Sequence, residues 1–246
     1  MPTGHDYCEF DNTTKKLYNM ETLKESSLNV ILESFKGVRE ISDEHLKMEK
    51  LQKQFCSMAK ELLYGGYFLV EGKTRLYLDD IEFYYHEEGE EGLKDPIMYH
   101  TNDHEGKEIP YFEIGRLNLH ISGIDVTFEN EEMKYRASFL IRGFHVDNDE
   151  YDPHSTHVYD KMVHMGVPMG KPIEIEWISK RLPGYESYDP KGEARQNVAE
   201  YELQDGKYKK IEYLEKGEYN KDDYFHYNKH VYKKCQREWR FKKNKP

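Results

Sequence analysis

The sequence predicts one α+β domain in which strands outnumber helices. Three observations carry that prediction. Residues 42–63 repeat apolar side chains at three- and four-residue steps, the period of one long amphipathic helix. Several shorter stretches, among them 67–70, 74–85 and 136–146, are rich in aromatic and β-branched residues and are bounded by polar turns. No fixed-period repeat and no obvious linker divides the 246 residues, a length that suits one large domain or two small ones.

Taken in order, Met1 to Thr22 is polar and without periodic pattern. Leu28, Val30-Ile31-Leu32 and Phe35 suggest a short helix or strand before Gly37. Residues 1–42 are read as an N-terminal extension and 43–246 as the main domain. Ser42-Asp43-Glu44 has the character of a helix start, a capping side chain followed by an acid in the first turn. Met48, Leu51, Phe55, Met58, Ala59, Leu62 and Leu63 then form the apolar stripe, which Tyr64-Gly65-Gly66 ends. Tyr67 to Val70 is a short strand, Glu71-Gly72-Lys73 a turn, and Thr74 to Tyr85 a long strand. After a polar loop over 86–108, strands are expected at 109–114, 117–121, 124–129 and 136–146. Thr156 to Met165 suits a short helix closed by Gly166, and Ile173 to Ile178 a strand. Residues 179–200 read as a loop carrying Arg181 and Arg195, and 200–228 resist assignment.

Composition narrows the function classes. No apolar run is long enough to span a membrane and the N-terminus lacks a signal peptide, so the expectation is a cytoplasmic protein with no membrane partner. Three widely spaced cysteines, Cys8, Cys56 and Cys235, argue against a disulfide scaffold or a zinc knuckle. The formal net charge of −11 opposes phosphate binding, but the charge is uneven. Glu87 to Glu91 is acidic, whereas Lys229 to Lys245 interleaves cations with Tyr232, Trp239 and Phe241. That tail suits a surface that tracks a nucleic-acid backbone through Lys233, Lys234, Arg237 and Arg240. It equally suits a solubilising terminus or a final strand with snorkelling lysines.

The most pointed local feature is Asp79-Asp80-Ile81-Glu82-Phe83-Tyr84-Tyr85. In a strand, Ile81, Phe83 and Tyr85 face one way while Asp80, Glu82 and Tyr84 face the other. A solvated second face makes Glu82 unremarkable. A face lining a cleft makes Glu82 and Tyr84 an acid/base group beside an aromatic ring. Elsewhere, His100 and His104, and later His154, His157 and His164, lack the pattern of a metal site, so no metal or cofactor is expected. A phosphate-cradling glycine loop and a Gly-x-Ser-x-Gly elbow are both missing, which removes support for kinase and serine-hydrolase readings.

The order Ala59-Lys60-Glu61-Leu62-Leu63-Tyr64-Gly65, Leu69-Val70, Glu82-Phe83-Tyr84, His100 and Leu140-Ile141-Arg142 resembles the alkyladenine (3-methyladenine) DNA glycosylase family. The resemblance spans residues 55–146, with an echo of a closing strand in Glu238-Trp239-Arg240-Phe241. It implies a curved, mainly antiparallel sheet with a few flanking helices. It also implies hydrolysis of a base–sugar bond in DNA carrying a modified base, by a monofunctional glycosylase. Glu82 takes the family's water-activating position, and Tyr84 that of a ring stacked on the flipped base. His100 would shape the pocket, and Arg142 would meet the catalytic carboxylate or the nucleic-acid backbone. Tyr111 is a candidate second ring, and Asp125 enters on position alone. Each has a plainer reading: a half-buried strand aromatic, a solvated loop histidine, an arginine in a surface ion pair. Two departures stand out. Ser122 to Glu129 replaces an aromatic, glycine-rich strand, and the acidic loop after Tyr84 lies where a DNA-facing surface avoids negative charge.

Two functions from different classes follow. One is a base-excising glycosylase. The other is a glycosylase-like fold without turnover that binds a protein or nucleic acid. Convergence of Glu82, Tyr84, His100 and Arg142 in one solvent-open pocket with a basic rim would favour the enzyme, and an acidic or filled cleft would favour the binder.

Overall fold

A computed structural model describes residues 27–33, 35, 37–95, 97–120, 122–164, 174–195, 201–204, 207–210 and 237–243. Four α-helices are described: α1 (Ser27–Glu33), α2 (Glu44–Tyr64), α3 (Asn102–Glu105) and α4 (His157–His164). Ten strands accompany them, most of them short: β1 (Gly66–Val70), β2 (Thr74–Glu87), β3 (Leu117–His120), β4 (Gly123–Thr127) and β5 (Tyr135–Val146). They continue with β6 (Ile175–Ser179), β7 (Gly192–Glu193), β8 (Tyr201–Gln204), β9 (Lys207–Lys210) and β10 (Arg240–Lys242). The architecture is α+β with a curled, antiparallel main sheet, in the order β3-β4-β5-β2-β1-β6.

Helix α2 forms where its stripe predicts. Asp43 caps it by accepting the Leu46 N–H at 2.9 Å, satisfying one of the amide groups a helix start leaves without a partner. Its buried face packs Leu51, Phe55, Met58, Leu62 and Leu63 onto the apolar face of the sheet. Phe55 stacks on Phe83 with ring centroids 4.5 Å apart, and Phe35 stacks on Phe55 at 5.3 Å. Offset aromatic pairs of this kind contribute about 0.5–1.5 kcal/mol each beyond the area they bury. The segment around α1, assigned from sequence to an extension, contributes Leu28, Leu32, Phe35 and Val38 to this same core. Its described part is therefore built into the domain.

Strand β2 is the spine. One edge pairs with β5 along its length, from Leu76↔Val146 to Glu87↔Tyr135. Its other edge is shared: β1 covers Thr74–Leu76, and β10 covers Asp80 to Glu82 with Arg240↔Glu82 in register. A stretch over 150 residues away in sequence thus lies beside Glu82. Where β1 meets β6, Gly66 is required by close approach, because a Cβ there would collide with the Ile178 carbonyl oxygen and the Trp177 ring.

The strand expected at 109–114 is absent. Pro110 has no amide hydrogen to give a ladder, and the neighbouring amides pair with side chains instead. The Ile109 N–H bonds Asn102 Oδ1 at 3.0 Å and the Phe112 N–H bonds Glu129 Oε2 at 2.8 Å. The remaining expected elements lie within two residues of their observed bounds, and the expected loop at 179–200 holds a 3-10 turn at Tyr185–Ser187 and strand β7. No described helix is long and apolar enough to cross a membrane.

Candidate active site

Alternation along β2 places Ile81, Phe83 and Tyr85 against α2 and turns Asp80, Glu82, Tyr84 and His86 to the opposite face. That second face is not solvated. Asp80, Glu82 and His86 are 1 %, 0 % and 0 % exposed, so each ionisable group needs a partner.

Glu82 finds Arg142 and Tyr84. Arg142 grips the carboxylate with two donors, Nε to Oε2 and Nη2 to Oε1, both at 3.1 Å. The Tyr84 hydroxyl donates to Oε1 at 2.6 Å. A β-bulge aims the arginine. Between Ile81↔Ile141 and Asp80↔Gly143 strand β5 advances two residues for one on β2, leaving Arg142 as the extra residue. Gly143 beside it admits the Tyr151 ring, which would lie 2.5 Å from a Cβ at that position. Burial raises the Tyr84 phenol well above its usual range, and the adjacent Glu82 charge raises it further, so Tyr84 remains a donor. Burial works against the charged Arg142 guanidinium, but Glu82 outweighs it and the net shift is upward.

Asp125 shares this face. It pairs across β4 and β5 with Leu140, the residue that also pairs with Glu82, so one row runs Asp125–Leu140–Glu82–Arg240. His120 Nε2 lies 3.1 Å from Asp125 Oδ1, and its Nδ1 accepts the Ser122 N–H at 3.2 Å.

Further along the face lies a second network. Arg136, fully buried, donates to Glu88, Glu129, Asn102 and the carbonyls of Ile109 and Pro110. His100 and Tyr111 belong here and are not brought to Glu82. The His100 ring stacks on Phe112 at 3.7 Å, with Nε2 3.1 Å from the Pro110 carbonyl. Burial, helped by Arg136, pulls its imidazole down to about 4. The Tyr111 ring lies over the Arg136 guanidinium at 4.0 Å. Arg136, around which this loop folds, pairs with His86, four residues along β2 from Glu82 and so about 13 Å from it at roughly 3.3 Å per residue.

The acidic loop is also changed by folding. Glu87 accepts both bonds of Lys47 at 2.7 Å, and Glu88 accepts Arg136 at 2.5 Å, so only Glu90 and Glu91 of its acids remain exposed. Burial acts to raise Glu88, but His86, the Asn102 N–H and Arg136 outweigh it and hold the carboxyl at about 2. A carboxyl depressed on folding stabilises above its unfolded value of about 4.3 and loses that contribution as pH falls through the folded value. Thermal melts of wild type and Glu88→Gln should therefore differ most at neutral pH. The difference should narrow progressively from about pH 4.3 towards pH 2. A constant offset across that range would contradict the assignment.

The basic end requires correction. Arg240 bonds Asp80 through Nε at 2.9 Å and Nη2 at 2.5 Å, and Arg237 donates to the Lys94 carbonyl at 2.7 Å. Both are buried and turned inward, so neither is presented to a nucleic-acid backbone. Trp239 and Phe241, expected on a stacking surface, are core residues at 0 % exposure, because alternation about β10 points them at Phe55 and Phe83. Lys233 and Lys234 lie outside the described residues.

Residues that sequence reasoning passed over complete the site. Asp95 and Arg195, both fully buried, form a two-bond pair at 2.6 and 3.1 Å. The Arg195 guanidinium lies 5.3 Å from the Tyr84 ring centroid, covering a ring expected to stack on a base. An arginine in a loop carries no local signal of such a partner. His154 and His157 line a separate cleft of about 480 Å³, where His157 Nδ1 is 3.0 Å from Asp152. Among the described residues, no group of three or more His, Cys, Asp or Glu side chains could hold a metal ion. Comparison with family models, curated proteins and solved structures finds no match for this chain.

Proposed function

We propose that this chain is a DNA glycosylase-like hydrolase that cleaves the base–sugar bond of a modified nucleobase, with Glu82 as its carboxylate. The observation that carries the reading is the convergence of Glu82, Tyr84, Arg142 and Asp125 on one sheet face, with Arg142 held to Glu82 by two bonds. Breaking a glycosidic bond develops positive charge at the anomeric carbon, which an ionised carboxylate stabilises, and it needs a group to activate water. Arg142 sets a positive charge against Glu82 through two bonds, and Tyr84 fixes the orientation of the carboxylate.

The test is base release from oligonucleotides carrying alkylated, deaminated and hypermodified bases, comparing wild type with Glu82→Gln. The amide preserves shape and most hydrogen bonds while removing the charge. Release by wild type that falls at least about a hundredfold in the variant is expected, the usual scale for a proton-transfer or charge-stabilising group. Silence from a folded wild-type protein on every base would overturn the enzyme reading.

One observation favours a second reading, a glycosylase-like fold without turnover that binds a protein or nucleic acid. Glu82 is 0 % exposed and both its oxygens are engaged, which leaves bulk water no path to it in this conformation. Binding of unmodified oligonucleotide or a protein partner, unaffected by Glu82→Gln, is the result that reading expects.

A further inference from the structure

Resting on the hydrolase reading, we infer that Asp125, oriented by His120, is the proton acceptor of the site, while Glu82 supplies fixed negative charge. The argument starts from what each carboxylate can reach. Glu82 is sealed and engaged by Arg142 and Tyr84, so it suits an electrostatic role that needs no proton transfer. The Asp125 side chain is 18 % exposed. Its Oδ1 is buried and lies at ion-pair distance, 3.1 Å, from His120 Nε2, which leaves Oδ2 as the oxygen that reaches the open side.

His120 is well placed to position that carboxylate. The Ser122 amide donates to Nδ1, which puts the imidazole hydrogen on Nε2, facing Asp125. Edge strand β3 thus carries a histidine whose ring is held at one nitrogen by backbone and presents its other to the acid.

The register supplies the spacing. Asp125 and Glu82 both pair with Leu140, so their Cα atoms are two strand spacings apart, about 10 Å. Leu140, 2 % exposed, is the apolar floor between them. The two carboxylates thus stand on one row of the face with a single residue between them, the kind of placement used by hydrolases that set one acid group and one base on either side of the reacting bond. In the proposed step the C1′–N bond breaks with its electron pair leaving on the base, as Glu82 faces the charge that develops at C1′. Water adds its oxygen to C1′ and gives a proton to Asp125 Oδ2. That proton then passes to the departing base, so sugar–base plus water becomes sugar–OH plus base–H.

The experiment compares single-turnover base release by wild type, Asp125→Asn, His120→Gln and His120→Phe, each checked for an unchanged melting profile. Asp125→Asn should lose about 10²–10⁴-fold in the chemical step with little change in half-saturating DNA concentration. His120→Gln retains a donor towards Asp125 and should stay within a few-fold of wild type, whereas His120→Phe should lose at least tenfold. A purely structural role for His120 would affect both variants alike or act through stability. If wild type releases base and Asp125→Asn does so within threefold of it, this inference is overturned and the hydrolase reading stands. If wild type releases nothing, both are overturned. Should Asp125→Asn fold poorly, Asp125→Ala with added formate provides the second measurement. Restored release supports the assignment, and activity that is lost and not restored counts against it.

Discussion

Replacing Arg136 with methionine is expected to cost about 3–5 kcal/mol, the range for removing one partner from a buried ion pair. At this chain length, about 2–4 °C per kcal/mol, the melting temperature should fall by roughly 6–20 °C. Arg136 is 0 % exposed and uses its three nitrogens on five acceptors: two carboxylates, one amide and two carbonyls. Methionine fills much of the volume but leaves Glu88 and Glu129 buried near each other without the cation. Burial already pushes Glu129 up to about 7, against the pull of the Phe112 amide and Arg136, so that carboxyl would take up a proton first. Lysine retains the charge without the planar fork and should recover only part of the loss. The informative control is the triple variant Arg136→Met, Glu88→Gln, Glu129→Gln. Neutralising the whole network should recover much of the stability, because the cost lies in the unpaired charge rather than in the missing contacts. Urea unfolding of the four proteins measures this. A loss below 1 kcal/mol for Arg136→Met would contradict it.

Asp95→Asn should have an effect of similar size, about 3–5 kcal/mol at pH 7, for the same reason. Asp95 and Arg195 are both fully buried, and the carboxylate accepts two guanidinium bonds. Burial alone would raise Asp95, but Arg195 and Arg237 outweigh it and hold it below its usual value. The amide cannot neutralise two arginines. Arg195→Met should be milder, because Arg237 Nη1 remains 3.9 Å from Asp95. The loss should also reach the site, since Arg195 lies over Tyr84 and the preceding strand β7 pairs with β10 beside Glu82. Hydrogen exchange at Gly192, Phe241 and Phe83 should quicken in Asp95→Asn ahead of exchange in α2. Uniform quickening across the sheet would show that the pair is a global rather than a local anchor.

Much of this chain is readable locally. The α2 stripe, the Asp43 cap and the long strands around Glu82 and Arg142 sit within two residues of where periodicity puts them. The pairing of Glu82 with Arg142 was suggested by motif order, and the bulge at Arg142 that aims it was not. Nothing in Leu140-Ile141-Arg142-Gly143 announces an extra residue, because a bulge is a property of two strands in register. The resemblance draws His100 and Tyr111 to the site, yet the loop holding them folds onto Arg136 instead. The aromatic and basic end looked like a contact surface because composition does not say which way a strand's faces point.

The sequence by itself determined the helix, the strand alternation and the fact that Glu82 and Tyr84 share a face, since these depend on backbone geometry over a few residues. Only the tertiary structure decided that this face is buried. The cations that cover and neutralise it, Arg142, Arg195 and Arg240, come from three separate segments between 60 and 160 residues from their partners on β2. A charge on a strand reads the same whether water or a distant arginine meets it. Desolvation makes the difference, and it is set by whichever remote segment arrives.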